Sequence, residues 1–290
     1  MCRNPAFAAT ALALILAAPG LGVAKDHKDA ASPAPVASMT ASPATTTATP
    51  LPQAPPHKAT PDERAMAERL DPLAKAAFWA HEVEVDARDI QAGIRLSAAL
   101  RGLGRNEEAS LAAQQVLVVD PNNQDAAFEA ARDFLAGGQG FFAIDHLKRL
   151  QAANPRDWRP LSLLGVAYEQ VSRDDDAVAA WKQALALSPD NPAVMSNLAM
   201  HFAARGDAAQ AEALLRQAAA TPAASVQIRQ NLALVLGIEG KFAEAEQITR
   251  QDLPPELAAN NIAYLHAASG GGGDNRSWSG LQNAQAAGGN

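Results

Sequence analysis

The chain has 290 residues and a formal net charge of −7, with no basic stripe anywhere along it, which argues against a nucleic-acid partner. Nearly half of it is hydrophobic (48%) but only 5% is aromatic, so the apolar content is mostly Ala, Leu and Val, the material of closely packed helices. The single cysteine, Cys2, excludes an internal disulfide and a cysteine-based metal site from the fold.

Residues 1–24 read as a secretory signal. Arg3 gives a short positive start, Phe7 to Ala18 an apolar run of about a dozen residues, and Gly22-Val23-Ala24 a small-residue cleavage site, with the cut expected after Ala24. The run is shorter than the ~20 residues that span a bilayer and is broken by Pro19-Gly20, so a transmembrane anchor is disfavoured. No cysteine follows it to carry a lipid. Residues 25–60, mostly Ala, Pro, Thr and Ser, are too poor in large apolar groups to order themselves and read as a disordered tether. Residues 61–89 follow as N-terminal capping helices, with Pro72, Phe78 and Trp79 set to shield the open end of what comes next.

From there the sequence repeats itself. Ala109, Ala143, Ala177, Ala211 and Ala245 are separated by 34 positions each. Leu96, Ala130, Leu164, Leu198 and Leu232 share that step, as do Leu100, Phe134, Tyr168, Phe202 and Leu236 four residues later, so the two sets lie on one helix face. Gly104, Gly138, Ser172, Gly206 and Gly240 mark a chain reversal inside each unit. Units end at Asp120-Pro121, Asn154-Pro155 and Ser188-Pro189, with the fourth one residue off at Thr221-Pro222, because proline cannot continue a helix and polar residues after it can cap the next.

A helix-turn-helix period of 34 residues is the signature of the tetratricopeptide repeat (TPR), and the unit from Trp158 to Asn191 fits it best. The expected fold is all-α: a right-handed superhelical TPR solenoid of about five repeats, 90–123, 124–157, 158–191, 192–225 and 226–259, with flanking capping helices. Residues 260–269 form the C-terminal cap, and 270–290, opening on four glycines and holding Trp278, a disordered tail.

No residue pattern demands chemistry. Six histidines, at positions 27, 57, 81, 146, 201 and 266, make no metal-ligand spacing, and His146 and His201 read as structural residues on repeat helices. Gly137-Gly138-Gln139-Gly140 follows a helix and lacks the G-K-[ST] of a phosphate loop, Gly102 and Gly104 lack the strand and third glycine of a dinucleotide site, and Asp174-Asp175-Asp176 suits a helix N-terminus better than calcium. The reading is a non-enzymatic protein without cofactor, metal or small-molecule substrate, reaching membranes only through protein partners.

The binding surface expected of a solenoid is its concave side, lined by the first helix of each unit. In TPR proteins that face corresponds here to Ile94, Arg95, Ala98 and Arg101 in the first unit, Phe128, Glu129 and Arg132 in the second, and Ser162, Val166 and Glu169 in the third. Asn197 and Met200 follow in the fourth, then Gln230, Asn231 and Leu234 in the fifth. Arg95, Arg101 and Arg132 suggest a partner with an acidic end.

Several segments carry a closer resemblance. These are Ala77 to Glu82, Ala99 to Ala109, Arg229 to Gly237, Gln251-Asp252-Leu253-Pro254-Pro255-Glu256, and Ala259 to Leu265. Together they resemble the TadD-like TPR proteins of tight-adherence (Flp, type IVb) pilus assembly, over about Asp71 to Leu265. The resemblance implies a periplasmic assembly factor acting on the outer-membrane secretin or its partners. Members are typically lipoproteins, whereas the only cysteine here precedes the apolar run, so a soluble or partner-held periplasmic form is expected. Two alternatives stay open on the residues alone: a general envelope scaffold or pilotin of another pilus or cell-wall system, and a regulatory subunit of a periplasmic hydrolase.

Overall fold

In a computed structural model the backbone of residues 57–270 is described, with side chains to residue 266. The expected signal segment and cleavage site, most of the tether and the tail from residue 271 lie outside the described residues. Thirteen helices and no strand are present among the described residues.

Ten of the helices form five hairpins. They are α3 (Ile90–Gly102) with α4 (Asn106–Val119), α5 (Gln124–Ala136) with α6 (Gly140–Ala153), α7 (Trp158–Gln170) with α8 (Asp174–Leu187), α9 (Pro192–Ala204) with α10 (Ala208–Ala219), and α11 (Val226–Ile238) with α12 (Phe242–Asp252). First helices begin 34 residues apart, and so do second helices. Each first helix starts from a polar cap: Asp89, Asn123, Asp157, Asn191 and Ser225 accept hydrogen bonds from amides two or three residues on, satisfying donors that a helix start leaves free.

The turn inside each hairpin needs one left-handed residue. Gly104, Gly138, Gly206 and Gly240 have φ between 71° and 86°, and Ser172 takes the same place at φ 58°, the only non-glycine described with positive φ. The packing seam is equally regular. Ala109, Ala143, Ala177, Ala211 and Ala245 are all fully buried, because two backbones meet there and leave room only for a methyl group. Four residues further along each second helix come Ala113, Leu147, Trp181, Leu215 and Thr249, which fill the hairpin with side chains of very different size. Trp181 fits because the facing residue is Gly165, where a β-carbon would lie 2.3 Å from the indole Nε1.

At the N-terminal end, α1 (Pro61–Ala67) and α2 (Pro72–Val85) make a further hairpin in phase with the repeats, since Pro72 precedes Asn106 by 34 residues and Trp79 takes the register of Trp181. A buried ion cluster fastens it. Arg64 pairs with Glu82 and donates to Asp89 at 2.6 Å, with its guanidinium over the Trp79 ring at 5.6 Å. Burial alone would push the Asp89 carboxyl up, but hydrogen bonds from Arg64, Lys58 and the Ala92 amide outweigh it and hold the group well below the usual carboxylate range. The ordered chain therefore starts before residue 61. Lys58 sits 2.7 Å from Asp89, the Ala59 amide donates to Glu82 at 2.9 Å, and Thr60 caps α1 in a reciprocal capping box with Glu63.

At the other end, α13 (Pro255–Gly270) begins five residues before the expected boundary at 260. Pro254-Pro255 replaces the polar linker of the earlier units, and proline at the first helical position starts a helix at once. Its Leu265 fits against Gly237, where a β-carbon would lie 2.7 Å from Leu265 Cδ2.

Candidate partner-binding groove

Consecutive first helices, α3 to α11, touch one another, whereas consecutive second helices make no comparable contact. The first helices therefore lie on the shorter, inner radius and line a concave surface, while the second helices face outward.

The N-terminal half of this surface is ionic and internally compensated. Arg101 lies 2.5 Å from Glu129 and 2.6 Å from Asp133, and Arg132 donates to Glu129 at 3.0 Å. Asp133 is fully buried and accepts a second hydrogen bond from the Ser97 hydroxyl at 2.7 Å. Burial pushes its carboxyl above the usual range, against the opposing pull of Ser97 and Arg101. Arg95 is exposed and leans 3.5 Å from Glu68. Each of the three arginines thus already faces a carboxylate, and the inference of an acidic-ended partner does not follow from them. Ile94 and Ala98 are half-buried beside them, and Phe128 lies under the Arg159 guanidinium at 5.5 Å.

In the middle of the groove Val166 and Glu169 are half-buried, and Glu169 meets His201 Nδ1 at 3.0 Å. His201 is only 3% exposed and packs against Trp181 and Phe202, which makes it part of the wall. Ser162, expected to line the surface, is buried instead: a serine is too short to reach the groove, and its carbonyl accepts the Trp181 indole N–H at 3.0 Å.

The C-terminal half is neutral. Val166, Met200 and Leu234 recur at one register position, half-buried, and form an apolar stripe where the first two units place Ala98 and Arg132. Amides flank the stripe. Asn231 donates to Ser196 at 3.0 Å and accepts from Gln227 at 3.0 Å, Gln230 reaches Asp252 at 3.4 Å, and Asn197 has no side-chain partner among the described residues. Of the expected lining, the structure groups Arg101, Glu129 and Arg132 in one cluster and Met200, Asn231 and Leu234 in the other half.

The residues set aside in the sequence have local roles. Gly138 supplies the left-handed turn, and a β-carbon on Gly140 would meet the Ala167 carbonyl at 2.7 Å. Asp174 pairs with Arg205 and Asp176 with Arg173 at the start of α8. His146 stacks on Phe134 at 6.1 Å, and burial lowers its pKa. No group of His, Cys, Asp or Glu among the described residues could hold a metal ion, and no described helix is long and apolar enough to cross a membrane.

No family model and no curated protein matches the chain. Solved structures do. A thermophilic TPR protein of Thermus thermophilus superposes at a TM-score of 0.55 with 25% identity, over 61% of this chain and 99% of that one. The fold is that of TPR solenoids. MamA from Desulfovibrio magneticus RS-1, residue 41 to its end, aligns at a TM-score of 0.47 with 21% identity, over 55% of this chain and 95% of that one. A TPR solenoid is a scaffold for contacts between proteins, and its inner surface is the place to seek one.

Proposed function

We propose that this chain is an exported, non-catalytic scaffold that helps assemble a tight-adherence (Flp, type IVb) pilus machine by holding an extended segment of a secretin or one of its partners in the concave groove. The observation that carries the binding mode is the stripe of Val166, Met200 and Leu234 between amide side chains. Spaced apolar contacts with amides able to meet a peptide backbone suit a neutral, extended segment, and the compensated ion cluster at Arg101 closes the other half to a simple charge match.

The choice of system rests on the resemblance to TadD-like proteins, and the segments that carry it near the C-terminus form one body. Arg229 grips Asp252 with bonds of 2.7–2.9 Å, and Gly237 receives Leu265, so the stretches beginning at Arg229, Gln251 and Ala259 pack as a unit. In this reading they are kept together as a fitted end piece of the scaffold. Deletion of the gene, scored by electron microscopy for surface pili and by fractionation for secretin multimers, tests the proposal. Lost pili with unassembled or misplaced secretin are expected, and normal pili with normal secretin would refute it.

A further inference from the structure

The outer face carries a feature that the groove does not use. At the start of the second helix, α4 presents Glu107-Glu108 and α8 presents Asp175-Asp176, as the positive end of a helix dipole favours. At the same register α6 presents Phe141-Phe142 and has no acid in its first turn. The two rings are 72% and 56% exposed, in a chain with eight phenylalanines in all. They meet edge to face at 5.6 Å, and Phe142 is backed by buried Phe134 at 5.5 Å, so the pair is held up from below as a firm apolar step. The repeats on either side show that the hairpin folds with acids at this place, so packing alone does not call for two phenylalanines. A large exposed apolar step of this kind marks a contact site.

Charge identifies the occupant. Glu107 and Asp175 stand at the position equivalent to Phe141, one repeat before and one repeat after it, and both are exposed and make no ion pair among the described residues, so the repeat register sets the apolar step between two uncompensated carboxylates. An element with one apolar stripe between two basic flanks complements that arrangement, and a helix supplies it with apolar residues three and four apart. We propose that Phe141 and Phe142 form a second docking surface, on the outside of the solenoid, for a basic amphipathic helix of a partner protein. The same carboxylates repel an anionic lipid surface.

The test uses the purified full chain and a labelled 18-residue Leu/Lys amphipathic helix, followed by fluorescence anisotropy beside its Leu/Glu counterpart. Saturable binding of the Leu/Lys helix alone is expected, weakened at least tenfold by Phe141→Ser and by Glu107→Lys with Asp175→Lys, and unchanged by the groove substitution Met200→Glu. Phe141 touches only its neighbour Phe142 among rings, and unchanged circular dichroism will show that Phe141→Ser leaves the fold intact. No saturable binding, equal binding to the Phe141→Ser protein, or loss of binding only in the Met200→Glu protein would overturn the proposal. So would sedimentation showing a dimer that Phe141→Ser dissolves, since the occupant would then be a second copy.

Discussion

Replacing Gly165 with alanine perturbs the tightest point of the repeat seam. The new β-carbon would lie 2.3 Å from Nε1, 2.4 Å from Cε2 and 2.6 Å from Cδ1 of Trp181. Ordinary carbon contacts need about 3.5 Å, so the indole must retreat by about 1 Å, and it is fully buried with nowhere to go. Overpacking of that kind costs about 1–3 kcal/mol. The retreat also strains the indole N–H bond to the Ser162 carbonyl, 3.0 Å long, and an unmade buried hydrogen bond costs about 1–3 kcal/mol more. Alanine returns about 1 kcal/mol through helix propensity, leaving a net loss of about 3 kcal/mol. The sister units hold Leu147 and Leu215 in the Trp181 position, so Trp181→Leu should relieve the clash. Urea unfolding followed by circular dichroism for both single variants and the double variant measures this. The double variant should be more stable than the sum of the single losses allows by about 1.5 kcal/mol or more; losses that add to within about 0.5 kcal/mol would refute the account of the seam.

Further outcomes follow from the same geometry. Ser172→Gly should stabilise the chain by about 0.5–1 kcal/mol, the left-handed cost of serine less the added freedom of glycine when unfolded, and a thermal melt will show the gain. Ala177→Leu should lose about 1–3 kcal/mol by forcing the hairpin apart, visible as a lower urea midpoint. The depressed Asp89 carboxyl contributes stability that is present above its unfolded pKa and lost as pH falls through the folded one. The protection factors of the α1 and α2 amides, corrected for the intrinsic pH dependence of exchange, should therefore fall in acid, below about pH 4, and Asp89→Asn should flatten that response. Asp133 has the opposite sign: its raised pKa gives a contribution that is present at acid pH and lost as pH rises through the folded value. Asp133→Asn should gain on the wild type in chemical denaturation as pH rises from about 4.

The hairpin architecture was legible because the physical demands recur in phase. Ala177 and its four counterparts report close backbone approach, Gly206 and its counterparts a left-handed turn, and Asn123 and Asn191 a helix start, each at the same step. What escaped was non-periodic. The Arg64, Glu82 and Asp89 cluster joins residues 18 to 25 positions apart without any repeat to expose it. Asp133 and His201 were missed as groove-wall residues, although both sit at a register position held elsewhere by Ala99, Ala167 and Val235, and a polar residue breaking an apolar register was the available signal. Ser162 shows the limit of register alone: the right position with too short a side chain sinks below the surface.

The groove as the working surface is tested most directly by complementing a deletion strain with the Met200→Glu and Leu234→Glu double variant, after circular dichroism has shown it folded. Surface pili and secretin multimers are then scored beside the wild-type gene. The wild-type gene should restore both, and the groove variant should restore neither. Full restoration by the groove variant would contradict this and move the working contact off the concave face.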